Sequence, residues 1–107
     1  MRDYEEFLSR LRYVLSLDGT IESSGMGGGA QVTFVGLEGR RFEFIQSLGQ
    51  IYSAVGRLDS EVLADPQDIS DMQAQLRLFS VHVKEAVETA PDGARFFEVR
   101  SSGVWAH

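Results

Sequence analysis

The chain has 107 residues, no cysteine, two prolines, 43% hydrophobic residues and a formal net charge of −6 at pH 7. That length suits one domain spanning 1–107, too apolar for a disordered acidic tail and without the roughly 20-residue apolar run of a membrane helix. Zero cysteine excludes disulfides, thiolate metal sites and thiol nucleophiles, and the acidic balance argues against direct nucleic-acid binding, which needs a basic face.

The first predicted element is a helix from about Asp3 to Leu17, with Tyr4, Phe7, Leu8, Leu11, Val14 and Leu15 forming one apolar stripe. Glu6 and Arg10 lie four apart in the order that favours an exposed ion pair. Asp18-Gly19 is the expected stop, with Gly19 supplying the positive φ of a helix C-terminus. Residues 20–29 contain Ser23, Ser24, Gly25, Gly27, Gly28 and Gly29, and read as a mobile loop. Ala30–Val35 and Arg40–Ile45 alternate apolar and polar residues around Gly36-Leu37-Glu38-Gly39, the pattern of a β-hairpin.

Helical spacing returns at Leu48, Ile51, Tyr52, Val55 and Leu58, predicting a second helix over about Gln46–Leu58 that Gly49 and Gly56 weaken. Asp65-Pro66-Gln67-Asp68 is a helix start, with Asp65 as N-cap and Pro66 at the first helical position. Ile69, Met72, Leu76, Phe79, Val83 and Val87 carry that helix to Ala90-Pro91. Arg95–Arg100 reads as a strand and Gly103–Ala106 as a short last one. The order α-β-β-α-α-β-(β) is that of an α+β domain, an antiparallel sheet of three or four strands packed against helices. Phe34, Phe42, Phe44, Phe79, Phe96 and Phe97 are the expected aromatic core. Trp105, the only tryptophan, either caps the sheet edge or faces a partner.

No catalytic constellation, cofactor site or metal site emerges from the motifs. Gly25-Met26-Gly27-Gly28-Gly29-Ala30 matches G-x-G-x-x-A, but a dinucleotide site needs a strand before it and a helix after it. Here a loop comes before and a strand follows. His82 and Glu85 share a helix face without the second histidine of a zinc helix. Asp65, Asp68 and Asp71 offer oxygen ligands for a divalent cation, but lack the glycine and terminal glutamate of a calcium loop. Acids in the first turns of a helix also follow from its dipole.

The distribution of charge carries more information. Residues 1–57 hold six arginines and seven acids, net −1, and residues 77–107 are neutral. Residues 58–76 hold Asp59, Glu61, Asp65, Asp68 and Asp71 with no base, net −5. Such a run is either a solvated face or a surface for a basic partner, with apolar anchors such as Leu63 or Tyr52 at its centre.

The expected function is therefore a non-enzymatic binding module that contacts a basic protein through Asp59, Glu61, Leu63, Asp65, Asp68 and Asp71. Its concrete form is a cytoplasmic immunity or inhibitor protein that neutralises a basic toxin such as a nuclease. The acids near Met1 stand where a secretory leader carries apolar residues, and nine arginines to one lysine suggest a GC-rich bacterial genome. A dimeric secretion chaperone is a second interaction reading. The alternative from another class is a small-ligand sensor or enzyme, with 20–29 as lid and Ser23, Ser24, Arg40, Arg41 and Glu43 as polar groups.

Overall fold

Asp3 starts the first helix, its carboxylate accepting the Glu6 N–H at 3.1 Å, and α1 runs over Tyr4–Val14. The computed structural model describes residues 3–58 and 69–107, with side chains from 72 onward in the second stretch. The apolar stripe is turned inward as its spacing requires: Phe7, Leu11 and Leu15 are buried, with Tyr4, Leu8 and Val14 packed beside them. Arg10 pairs with Glu6 at 2.8 Å and also donates to Gln73 at 2.9 Å, tying this helix to a later one.

The helix stops at a Leu15 C-cap, three residues before the expected Asp18-Gly19. Gly19 opens a strand instead: β1 (Gly19–Ser24) pairs antiparallel with β2 (Gln31–Gly36) over six residues. The expectation of a mobile 20–29 loop is thus wrong over its first half. Weak local preference in Thr20–Ser24 is overridden by a ladder to β2, and only Ile21 supplies a buried side chain. The remainder is pinned as well. Gly27–Gly29 form a single 3₁₀ turn, Ala30 is buried, and its carbonyl accepts the Leu48 N–H at 2.9 Å. A strand therefore does precede the glycine run, contrary to expectation, but no helix beyond that one turn follows it.

β2 turns through Gly36–Gly39 into β3 (Arg41–Phe44), with Val32, Phe34, Phe42 and Phe44 all directed to one face. α2 (Leu48–Gly56) begins with a capping box, Ser47 accepting from the Gln50 N–H while the Gln50 side chain accepts from the Ser47 N–H. Gly49 in this helix is a contact point rather than a weakness, because a Cβ there would lie 3.2 Å from the Gly28 carbonyl oxygen. α3 (Ile69–Thr89) is the longest element. The expected helix start at Asp65–Asp68 lies outside the described residues.

β4 (Phe96–Arg100) and β5 (Gly103–Ala106) complete a five-stranded sheet in the order β1-β2-β3-β4-β5. Every neighbouring pair is antiparallel except β3–β4, which is parallel. Parallel neighbours require a long crossover, and α2, the connection after it and α3 make that crossover. The observed order is thus α-β-β-β-α-α-β-β, a single compact α+β domain with five strands rather than three or four. Gln46 extends the short parallel pairing where β3 has ended. Its amide donates to the Val99 carbonyl at 2.6 Å and accepts the Val99 N–H at 2.9 Å, as a strand residue would.

The three helices lie on one face of the sheet. Ile21, Val32, Phe34, Phe42, Phe44, Phe97 and Val99 meet Phe7, Leu11, Ile51, Val55, Leu76, Phe79 and Val83 in one core. The other face carries the alternate residues, including Glu22, Thr33, Arg41, Glu43, Phe96, Glu98 and Trp105. Phe96, expected in the core, is 43% exposed on this open face. Strand alternation puts Phe96 and Phe97 on opposite sides, and Phe97 has the inner one.

Candidate functional site

The acidic run sits within the crossover, and the structure describes both of its anchors. Leu58 is fully buried at the end of α2, and Met72 and Leu76 are buried near the start of α3. Between them Gln75 closes the open end of α2. It is the one buried polar side chain among the described residues. Its amide donates to the carbonyls of Val55 and Leu58 at 3.0 Å each, with Gly56 at 3.4 Å. The last carbonyls of a helix have no partner within it, so a buried end must borrow a donor, and α3 supplies one. The two flanks of the acidic run are thereby locked to each other.

Of the predicted contact residues, Asp59, Glu61, Leu63, Asp65 and Asp68 lie outside the described residues. Asp71 falls on the first turns of α3. The proposed cation ligation by Asp65, Asp68 and Asp71 likewise lies outside them. Tyr52 is not available as an anchor. It is buried, with its ring edge-on to Phe7 at 5.1 Å and to Tyr4 at 6.1 Å between centroids. Its helical spacing with Leu48 and Val55 already marked it as core.

Gln75 was missed in the sequence. The signal was present, since residue 75 follows Met72 by three and precedes Phe79 by four, on the apolar stripe. A polar side chain in such a place needs a buried partner. Replacing Gln75 by leucine is expected to lower stability by about 1–3 kcal/mol, because the carbonyls of Gly56 and Leu58 lose this donor, while that of Val55 keeps the Leu58 N–H at 3.1 Å. Urea denaturation followed by circular dichroism checks this. A neutral result would mean that water serves those carbonyls equally well.

The polar groups suggested for a lidded site are not brought together. Ser23 and Ser24 belong to β1, where Ser23 is registered with Val32 and its hydroxyl accepts from the Arg12 guanidinium at 3.3 Å. Arg40, Arg41 and Glu43 do line one shallow hollow of ≈ 690 Å³ on the open sheet face, with Thr33, Arg95 and Phe96. Arg41 there is held by Glu22 at 2.8 Å, and Arg40 donates to the Pro91 carbonyl while lying over the Phe42 ring. The hydrogen bond and charge of Arg41 lower the Glu22 carboxyl below its ordinary value.

Glu98 gathers a second group on the same face. It accepts from Arg100 at 2.6 Å and lies 3.1 Å from the His107 ring. Both contacts, Arg100 first, lower its carboxyl below the ordinary value. A lowered carboxyl pKa means that the pairing is fully present above the unfolded-state value and is lost as pH falls through the folded one. A carbon-13 titration should place the Glu98 midpoint below the ordinary glutamate value. A midpoint at that ordinary value would refute the pairing in solution.

His82 and Glu85 do share a face, lining a groove of ≈ 420 Å³ between α3 and β5 with Thr89, Ser102 and Trp105. Trp105 stands 48% exposed on β5, the strand at one edge of the sheet, with the Arg100 guanidinium 5.2 Å from its ring. Among the described residues no three His, Cys, Asp or Glu side chains cluster as metal ligands, and no helix is long and apolar enough to cross a membrane. Compared with protein-family models, curated proteins and solved structures, the chain matches none of them.

Proposed function

We propose that this chain is a non-enzymatic protein-binding module, and that the acidic connection between α2 and α3 receives a basic partner. In its most concrete form the proposal is a cytoplasmic immunity or inhibitor protein that neutralises a basic toxin such as a nuclease. The observation that carries it is the placement of charge. Five of the six net negative charges lie between residues 58 and 76, on a connection whose two flanks are joined by Gln75. Clustered carboxylates raise encounter rates with a basic surface, and their field falls off with salt. A toxin that grips phosphates presents lysine and arginine at its site, and the same side chains pair with carboxylates.

The test is binding to the product of the adjacent gene, measured by calorimetry at low and high salt. Affinity should weaken steeply as salt rises. Changing Asp59, Glu61, Asp65, Asp68 and Asp71 to Asn or Gln together should weaken it by about tenfold or more at low salt, the equivalent of about 1.4 kcal/mol. Binding that ignores salt and survives this variant would refute the acidic contact surface.

A further inference from the structure

The open sheet face carries a local excess of positive charge on a chain whose net charge is −6. Arg40, Arg41 and Arg95 line its ≈ 690 Å³ hollow together with Thr33, Glu43 and Phe96. Strand register explains how they meet. Thr33, Glu43 and Phe96 are successive partners on β2, β3 and β4, so their side chains form one row across the face. Arg40 and Arg41 come from the start of β3, and Arg95 immediately precedes β4. Because β3 and β4 are parallel, these two starts lie side by side, fixed by the Glu43 N–H donating to the Arg95 carbonyl at 2.8 Å.

The three arginines are engaged differently. Arg41 reaches across β2 to Glu22 on β1, at 2.8 Å, so its charge is already balanced. Arg40 donates one amino group to the Pro91 carbonyl and lies 4.9 Å from the Phe42 ring centroid, which holds the guanidinium in place without neutralising it. Arg95 has no acidic partner among the described residues, and neither Arg95 nor Arg40 bridges to Glu43 in the same hollow. Two uncompensated guanidinium groups and one unpaired carboxylate therefore line one space, beside the half-exposed Phe96 ring. Phe96 also lines an adjoining hollow of ≈ 410 Å³ with Ile45, so open space lies on both sides of it.

These groups select a ligand with three parts. Guanidinium forks take phosphate or carboxylate through paired N–H donors, and two uncompensated ones match a dianion better than a single carboxylate. An exposed phenylalanine ring favours contact with another flat ring. The Glu43 carboxylate repels an anion unless the same molecule offers it a hydroxyl or amino donor. A phosphate dianion, a flat heterocycle and hydroxyl or amino donors occur together in a nucleoside monophosphate, and the hollow is within the size range of small-molecule sites. We propose that this hollow binds a nucleoside monophosphate, with the phosphate held by Arg40 and Arg95, the base against Phe96 and a ligand donor on Glu43. The site is built from β2, β3 and the residues leading into β4. It stands whether or not the acidic connection between α2 and α3 meets a basic protein.

Calorimetric titration of the full chain with the common nucleoside 5′-monophosphates tests this, with inorganic phosphate and the free nucleosides as separate arms. At least one monophosphate should bind with a submillimolar Kd, and inorganic phosphate and its nucleoside should each bind at least about tenfold more weakly. Arg95→Gln should weaken the monophosphate by about tenfold or more, and Phe96→Ala by at least about fivefold, the lower end for losing one aromatic contact to a base. Both positions are exposed, so the circular dichroism of both variants should match the wild type. Arg100→Gln, on the same face but at the other end of β4 and paired with Glu98, should bind as the wild type does. Failure of every monophosphate to bind at millimolar concentration overturns the proposal. Inorganic phosphate binding as tightly as the monophosphate also overturns it, leaving an adventitious ion only. So does binding that both Arg95→Gln and Phe96→Ala leave unchanged, which would put the ligand elsewhere on the chain.

Discussion

Phe97→Ala is expected to lower the unfolding free energy by about 3–5 kcal/mol, the range for truncating a fully buried phenylalanine. Phe97 has no exposed surface and lies among three other aromatic rings. It stacks on Phe42 with centroids 4.2 Å apart and planes 3° from parallel, and also meets Phe44 at 5.5 Å and Phe34 at 6.0 Å. Those neighbours come from β2 and β3, while Phe97 itself is on β4. No single element can shift to fill the cavity, so little of the lost contact is recovered. The site also lies on the parallel β3–β4 pair, where Phe44 is registered with Phe97. Phe96→Ala is the matched control, one residue away on the open face, with an expected cost below about 1 kcal/mol. Urea denaturation of both variants measures the difference. Equal losses would contradict the assignment of the two sheet faces.

Gly19→Ala should lower stability by about 3 kcal/mol, the upper end for forcing atoms into a packed site. A Cβ at residue 19 would stand 2.3 Å from the Val35 carbonyl oxygen and 2.7 Å from the Phe34 ring. The carbonyl belongs to the β1–β2 ladder and has no rotamer by which to move away. Relief requires β1 to part from β2 at its first residue, or the buried Phe34 ring to be displaced. Gly29→Ala provides the comparison, because nothing lies within 4 Å of a Cβ there. That change should be neutral, or stabilising by about 0.5 kcal/mol through the unfolded chain. Thermal unfolding monitored by circular dichroism separates the two, and a tolerated Gly19→Ala would place the start of β1 elsewhere.

The Gly19 prediction turns on a glycine whose local setting and tertiary setting ask for different things. Gly after a helical run suggests a positive φ at the helix end, and nothing in the local sequence opposes that reading. Its actual requirement is space beside Val35, a residue sixteen positions later, which no local pattern reports. β1 itself was hidden for the same reason. Thr20-Ile21-Glu22-Ser23-Ser24 has one buried side chain, so its strand conformation comes from hydrogen bonds to β2 rather than from a periodic apolar face. Phe96 and Phe97 illustrate a third limit. Adjacent phenylalanines must face opposite sides of a sheet, and the choice between them depends on which side the helices cover.

For the candidate surfaces the division is similar. The concentration of acids over 58–76 is visible by counting residues and requires no coordinates. That its flanks are braced by Gln75 emerges only when α3 is laid against the end of α2. The edge position of β5 is a property of sheet order, and the final position of a strand in the chain does not fix its position in the sheet.

Helix periodicity, the Phe-rich alternation, the β2–β3 hairpin and the absence of thiol chemistry follow from residue type and spacing, because each depends on neighbours within a few positions. The fifth strand, the parallel β3–β4 pairing, the inward choice of Phe97, the closeness at Gly19 and the donor role of Gln75 were decided by the tertiary structure. Each joins groups far apart in the chain, and there excluded volume and the need to satisfy buried polar groups choose among arrangements that local preference leaves equal.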